Sequence, residues 1–202
     1  MSFFIFQTKS LPEYEIPELR IDKDLLDINK LKTDVSEAGS PIPLLKSALK
    51  TSNDVLNYRY KEGQDINCIV RGRAGVVDEI LKLAWGALNW PNPSDICLIA
   101  VGGYGRGELL PHSDVDLLIL TKSSWHKKYQ HYVSSFLTML WDIGLEPGHS
   151  VRSIRQCKSE AVKDITIATA LMESRILIGN PDLFSAMYRA THNQRVWPIK
   201  KF

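Results

Sequence analysis

The strongest constraint on the fold is a pair of short apolar segments separated by a glycine-rich stretch. Residues 95–101 and 114–120 are rich in Ile, Leu and Val, as strands buried on both faces of a sheet are. Four glycines fall within the six positions 102–107 that follow the first segment. Helical patterns surround both segments. The sequence therefore predicts an α/β (α+β) fold, with a small mixed sheet flanked by helices and helical additions at both ends.

The segments before the first strand read as helices. Residues 1–40 mix charge with isolated leucines and predict a loosely attached lead-in segment with one short helix. Apolar positions share one helical face over residues 41–63, and a broader apolar stripe covers residues 65–88. Two prolines within residues 89–94 then end the helical pattern. Two helices are thus expected to precede the sheet.

The second half of the chain predicts further helices. An amphipathic helix follows the second apolar segment, and its aromatic residues Tyr129 and Trp141 are expected in the core. Helices are predicted across 156–190, one of them from Ile165 to Ile178 with Gly179 as its stop. The chain divides accordingly into a lead-in at 1–40, a main domain at 41–155 and a C-terminal helical extension at 156–202.

Asp114 and Asp116 stand at the start of the second predicted strand. Because side chains alternate along a strand, both carboxylates are expected on the same face, at the same end. Holding two like charges there is costly without a cation. A hard cation such as Mg²⁺ takes oxygen ligands and in turn binds phosphates. The pair is therefore predicted to be both catalytic and metal-binding.

The glycine-rich stretch is the predicted phosphate site. Gly102 and Gly103 let backbone N–H groups approach phosphate oxygens closely, because glycine has no Cβ. Arg106 is a candidate for a charge-assisted contact to a triphosphate, and Ser113 for a hydrogen bond to it or to Asp114. We expect these glycines to lead into a strand rather than open a helix, unlike the dinucleotide-binding fingerprint, and no Gly-Lys-Ser/Thr ends them as in a Walker A loop.

Each feature alone has an ordinary structural explanation. Most glycine-rich turns only reverse the chain, and most acidic residues at a strand start are solvated. The conjunction of glycines and paired carboxylates across two strands is what favours a nucleotide site.

The composition of the chain limits which partners and which cellular compartment are expected. The formal net charge of +2 with 24% charged residues provides no polybasic field for nucleic acid. Nowhere do about 18 apolar residues run together, so no membrane span is expected, and Met1–Phe6 lacks the basic flank of a signal peptide. The three cysteines include no CxxC pair, which favours a reducing, cytoplasmic location.

At these residues the chain resembles a known family. The two glycines Gly102 and Gly103, a spacer and the Asp114-Val-Asp116 triplet are similar to the signature of the DNA polymerase beta-like nucleotidyltransferase superfamily. The longer string over 101–120 resembles the N-terminal nucleotidyltransferase domain of the bacterial PII uridylyltransferase/uridylyl-removing enzymes. The resemblance covers residues 45–190, including the strings at 58–63, 140–152 and 169–180.

The resemblance implies a nucleotidyltransferase fold and a defined reaction. This reaction is the Mg²⁺-dependent transfer of UMP from UTP to a tyrosine of the PII signal protein, with release of pyrophosphate, under control of glutamine. By motif, Asp114 and Asp116 become the metal-binding catalytic residues, and Gly102 and Gly103 the nucleotide-binding pair. Residues 41–155 become the nucleotidyltransferase domain.

The resemblance also leaves questions open. The superfamily commonly uses a third carboxylate on a later strand beside the strand of the aspartates, which implies a strand near residues 146–153 here. Glu146 is the first candidate for this carboxylate, with Asp142 and Asp164 as rivals. No His-Asp dipeptide occurs in the 202 residues, so the HD hydrolase and ACT domains of the full-length family are not expected here. Two alternative functions remain: transfer of AMP or UMP to another protein or to a small molecule, and a non-catalytic nucleotide-binding module.

Overall fold

The structure is a computed structural model that describes residues 19, 21–122, 126–192 and 196, without the side chains of residues 126 and 127. Within these residues, eight α-helices flank a four-stranded mixed sheet, which confirms the predicted fold class. The apolar segment Met1–Phe6 lies outside the described residues. Among the helices that are described, none combines the length and the apolar character needed to cross a bilayer.

The described residues form four strands and eight α-helices. The strands are Ile96–Ala100 (β1), Leu117–Thr121 (β2), His149–Ser153 (β3) and Arg175–Gly179 (β4). The helices are Ile28–Glu37 (α1), Ile42–Lys61 (α2), Ile66–Gly86 (α3), Gly102–Gly105 (α4), His126–Ile143 (α5), Ile154–Lys163 (α6), Ile165–Met172 (α7) and Pro181–Thr191 (α8).

The sheet has the order β3-β2-β1-β4. β1 pairs in antiparallel fashion with both β2 and β4, while β3 lies parallel to β2, beside the strand that follows the aspartates. Leu117 is opposite His149 in the parallel pair. Because both strands start at the same edge, the residues just before β2 and just before β3 meet there. The expected later strand near 146–153 is therefore confirmed, in the expected position.

Each face of the sheet packs on its own set of helices. Leu98 and Ile119 point into a core shared with α2, α3 and α5. The alternate residues Ile99 and Leu118 point the other way, into a smaller core with α6, α7 and α8. This alternation explains the continuous apolar runs, since both faces are covered. Asp116 precedes Leu118 by two positions and so belongs to the face covered by α6–α8.

The predicted helix from Ile165 to Ile178 is wrong over its last third. α7 ends at Met172, and Arg175–Gly179 forms the edge strand β4. Its β-branched residues Ile176 and Ile178 pair with β1, so sheet pairing overrides the helical spacing of the apolar positions. Gly179 is not a helix cap: a Cβ there would lie 2.5 Å from the Ile96 carbonyl oxygen. The glycine permits a close approach of two backbones.

Two further expectations are corrected by the packing. Tyr129 is buried as predicted, at 2% exposure, but Trp141 is 55% exposed on the outer side of α5. The lead-in segment is not loosely attached where it is described, because Leu25 and Leu26 are buried in the larger core. The hydroxyl of Ser52 on α2 also donates to the Leu25 carbonyl, at 2.9 Å.

Candidate active site

The two aspartates lie side by side at the end of the sheet, just before β2. The strand begins at Leu117, three residues later than predicted, but the extended pattern already holds over the preceding triplet. Val115 is 5% exposed, whereas Asp114 and Asp116 on either side of it are exposed. The Val101 N–H donates to the Asp116 carbonyl at 3.1 Å, which ties this triplet to the end of β1. Both carboxylates therefore share one face.

The glycine-rich stretch forms a turn of helix directly beside Asp116. The expectation that these glycines lead straight into a strand is wrong, because Gly102–Gly105 close one helical turn as α4. Gly102 has a φ of +61°, a conformation that favours glycine. A Cβ on Gly102 would lie 3.8 Å from Asp116 Oδ2. The bare backbone thus faces the carboxylate, with room for a ligand above it.

A third glycine, missed by the sequence reasoning, completes the environment of Asp116. Gly148 lies immediately before β3, and the Leu117 N–H donates to its carbonyl at 2.8 Å. A Cβ on Gly148 would lie 2.5 Å from Asp116 Oδ1. The carboxylate therefore occupies a space that exists only because Gly148 has no side chain. Its position, one residue before a strand parallel to β2, was the available signal.

Gly148→Ala is expected to displace the Asp116 carboxylate while leaving the fold intact. Gly148 is not among the glycines with positive φ, so alanine fits its backbone, and the clash involves only the end of a rotatable side chain. We expect at least about a tenfold loss of nucleotidyl transfer, since small displacements of a catalytic group are costly. Transfer rates and melting temperatures measured together test this.

Gly86→Ala is the matched control, because nothing lies within 4 Å of a Cβ at this exposed position. Unchanged transfer by a folded Gly148→Ala variant would contradict the positioning of Asp116 by this glycine.

The electrostatics of the carboxylate pair favour a bound cation. Partial burial, and next to it the charge of Asp114, raise the pKa of Asp116 above its ordinary value. Within the described residues, no group of three or more His, Cys, Asp or Glu side chains is placed to hold a metal ion. A pair of carboxylates fits Mg²⁺, which commonly keeps water ligands and completes its shell with substrate phosphates.

Arg106 and Ser113, the other two predicted nucleotide contacts, differ in their surroundings. Arg106 Nε donates to Glu108 at 3.0 Å and Nη1 to Glu173 at 2.6 Å, which ties the glycine turn to the connection between α7 and β4. These ion pairs raise the pKa of Arg106, with the Glu108 hydrogen bond as the largest cause. Ser113 is exposed in the turn before Asp114, and its N–H donates to the Leu110 carbonyl at 3.2 Å.

Of the three candidates for a third carboxylate, Glu146 shares a cavity with one of the two aspartates, Asp114. Glu146 and Asp114 line a cavity of about 510 Å³ between α2, α3 and the turn before β2. Asp164 instead caps α7, accepting from the N–H and the hydroxyl of Thr166. Asp142 lies exposed near the end of α5. β3 itself carries no acidic residue.

A buried ion pair supports the glycine turn, and no local sequence pattern predicted it. Asp78 on α3 accepts from the Tyr104 hydroxyl at 2.7 Å and from two nitrogens of Arg175 on β4. Arg175 also donates to the carbonyls of Tyr104 and Gly105, at 3.3 Å each. Tyr104 and Asp78 are 2% and 5% exposed. Two separate elements, α3 and β4, thus hold the turn.

A second cavity extends from Asp116 along the sheet, under α7. It has a volume of about 250 Å³ and includes Gly102 and Asp116 in its lining. Arg152, Ser150 and Thr166 contribute its other polar side chains. The sequence reasoning did not single out Arg152, although its place on a strand parallel to β2 puts it on the same face as Asp116.

This geometry agrees with a defined class of protein. Residues 81–168 match the family model for the nucleotidyltransferase domain, from within α3 to within α7. The matched segment contains the glycine turn, both aspartates and Gly148. The chain therefore carries a nucleotidyltransferase domain, which confirms the resemblance seen in the sequence.

The curated relatives of this chain have a more specific name than the family model. The chain is 47% identical over 183 residues to the bifunctional uridylyltransferase/uridylyl-removing enzyme of Azotobacter vinelandii. It is 45% and 44% identical, over the same length, to the enzymes of that name from Pseudomonas syringae pv. tomato and Pseudomonas entomophila. Each alignment covers 91% of this chain and 20% of the relative, so the chain spans about a fifth of the length of these proteins.

Proposed function

We propose that this chain is a Mg²⁺-dependent nucleotidyltransferase that transfers UMP from UTP to a tyrosine of the PII nitrogen-regulatory protein and releases pyrophosphate. The observation that carries the proposal is the carboxylate pair Asp114 and Asp116, held on one face of the sheet against the bare backbone of Gly102. The similarity to uridylyltransferases, over nine-tenths of the chain, supports the choice of nucleotide and acceptor.

The residues of the site have different roles in this reaction. Asp114 and Asp116 hold Mg²⁺, while Gly102 and Gly103 leave space for the phosphates at their backbone. When bound, Mg²⁺ stabilises negative charge at the α-phosphate and makes the attacking hydroxyl more acidic. Gly148 leaves room for the carboxylate of Asp116, since a Cβ there would lie 2.5 Å from its Oδ1. The oxygen of the acceptor hydroxyl forms the new bond to the α-phosphorus as the bond to pyrophosphate breaks, and the hydroxyl proton passes to solvent.

The large cavity at Asp114 supports an approach of the acceptor there, because it shares no lining residue with the cavity at Gly102 and Asp116. It opens between α2, α3 and the turn before β2, with Leu109 and Leu110 among its apolar residues.

The cysteines support a reducing, cytoplasmic setting: Cys97 and Cys157 are buried and unpaired. Burial raises the pKa of the Cys97 thiol to about 12, so it stays protonated and inert.

The test of this function is direct. The protein is incubated with PII, Mg²⁺ and either UTP or ATP, and PII is then analysed by intact mass. We expect PII to gain one UMP per modified subunit, with pyrophosphate released, and no modification without Mg²⁺. Addition of AMP would instead support another nucleotidyltransferase. Binding of UTP with neither modification nor pyrophosphate would support a non-catalytic nucleotide-binding module.

A further inference from the structure

The smaller cavity, which Asp116 lines, has both polar and apolar walls. Apolar side chains line it from the sheet and from the helix that covers it, among them Leu118 from β2 and Leu171 from α7. At about 250 Å³ it is smaller than the 300–1,000 Å³ usual for a whole ligand site. It therefore fits one part of a nucleotide rather than all of it.

Its far end suits a nucleoside better than a triphosphate. In the parallel pair, Arg152 lies four residues beyond Gly148, a distance of about 13 Å along the strand. With the phosphates at Gly102 and Asp116, a nucleotide lying along the sheet brings its base toward Arg152. A single cation above an apolar floor matches a flat base with a polar edge.

Arg152 offers only hydrogen-bond donors to such a base. It is partly buried on β3, and within the described residues no carboxylate lies within ion-pair distance of it. Its guanidinium has five N–H groups and no acceptor. A carbonyl oxygen on a base can pair with it, whereas an amino group cannot.

Thr166 offers the opposite chemistry. Its hydroxyl donates to Asp164 Oδ1 at 2.6 Å, and its backbone N–H donates to the same oxygen at 2.8 Å. These hydrogen bonds lower the pKa of Asp164, so the carboxylate is ionised and can only accept. The single proton of the Thr166 hydroxyl is thus committed, and toward the cavity this oxygen can only accept.

From this arrangement we propose that Arg152 and Thr166 select uracil over cytosine in the bound nucleotide. The uracil edge presents a carbonyl acceptor, O4, next to a donor, N3–H, which matches a donor-only arginine and an acceptor-only threonine that line one cavity. Cytosine presents the reverse, an amino donor next to an acceptor nitrogen, and leaves both side chains unpaired. The inference rests on the proposed function and adds to it a pair of specificity-determining residues.

The test compares binding of Mg·UTP and Mg·CTP by calorimetry, without an acceptor, so that no transfer takes place. We expect wild type to prefer UTP by at least about tenfold, as a charged hydrogen bond left unmade is costly. In Arg152→Gln the amide both donates and accepts, so UTP binding weakens and the UTP/CTP ratio falls toward one. Thr166→Val, which removes the acceptor, should lower the same ratio.

Arg155→Gln is the matched control, because Arg155 is an exposed arginine three positions later, in the first turn of α6. It should leave the ratio unchanged. Equal weakening of UTP and CTP in Arg152→Gln would show that Arg152 contacts the phosphates, and no change in either would show that it contacts nothing; both outcomes overturn the inference. A wild type that binds both nucleotides equally overturns it and leaves the transferase proposal standing. If wild type binds neither UTP nor CTP, both this inference and the transferase proposal are contradicted.

Discussion

Asp116→Asn is expected to reduce nucleotidyl transfer by at least about 100-fold while leaving the protein folded. Asparagine keeps the shape of the side chain and removes its charge, so the loss falls on the metal and on the charge that develops at the α-phosphate. The effect is measured as the rate of UMP incorporation into PII at saturating UTP and Mg²⁺. Asp54→Asn, an exposed substitution on α2, is the matched control and should transfer at the wild-type rate.

The same variant should show opposite effects on stability with and without ligands. Burial and the charge of Asp114 raise the pKa of Asp116, so the folded state is destabilised by ionising it. The free-energy cost of ionising Asp116 in the folded state is absent below the pKa that this group has in the unfolded chain. It is present in full above the raised pKa of the folded state. The variant without ligands should therefore melt at or above the wild-type temperature near neutral pH, with the difference closing in acid.

Binding of Mg·UTP should reverse the order of the melting temperatures of wild type and Asp116→Asn. At a concentration of 100 Kd it should stabilise wild type by about 2.7 kcal/mol, through mass action alone, and the variant hardly at all. A thermal-shift series with Mg²⁺, with UTP and with both measures this difference. Equal stabilisation of wild type and Asp116→Asn would mean that the carboxylate is only a solvated residue before a strand.

Asp78→Ala is expected to lower the free energy of unfolding by about 3–5 kcal/mol, because it leaves the guanidinium of Arg175 buried without its carboxylate. Arg175 and Asp78 have side-chain exposures of 14% and 7%, so water offers little compensation. The tyrosine hydroxyl of Tyr104 loses its acceptor as well. Urea denaturation gives the change in stability.

Glu160→Ala provides the comparison for this effect. Glu160 pairs with Lys163 on the surface of α6, where an ion pair contributes little, and its loss should change stability by less than about 0.5 kcal/mol. The glycine turn should also loosen in Asp78→Ala, since Arg175 holds two of its carbonyls. A loss below about 1 kcal/mol, with unchanged UTP binding, would show that the network does not support the turn.

Much of the fold could be predicted from local patterns. The helices over 42–61 and 66–86 and the first two strands were indicated by apolar spacing and by breaks at Pro and Gly, whereas the later parallel strand was expected only from the family resemblance. The face shared by Asp114 and Asp116 followed from the alternation of a strand. These features depend on residues close together in the sequence.

The remaining features depend on contacts between distant residues. β4 pairs with β1 across about eighty positions, and the five residues Arg175–Gly179, although two of them are β-branched, are too few to distinguish an edge strand from the end of a helix. Gly148 matters only because β3 places it against Asp116, and Asp78 only because Arg175 comes from the opposite edge of the sheet. The side chains that hold the aspartates and the glycine turn were therefore not predictable from spacing, although the aspartates and glycines themselves were.

The position of β4 also determines where this protein can be cut. The segment that matches the nucleotidyltransferase family model ends at residue 168, within α7 and before β4. A fragment trimmed to that limit would keep every proposed ligand of the metal. It would also expose the backbone edge of β1, which could then pair with other chains and cause aggregation. It would also leave Asp78 as a buried charge without its arginine. The smallest unit that can be isolated with its site intact must extend at least through Gly179.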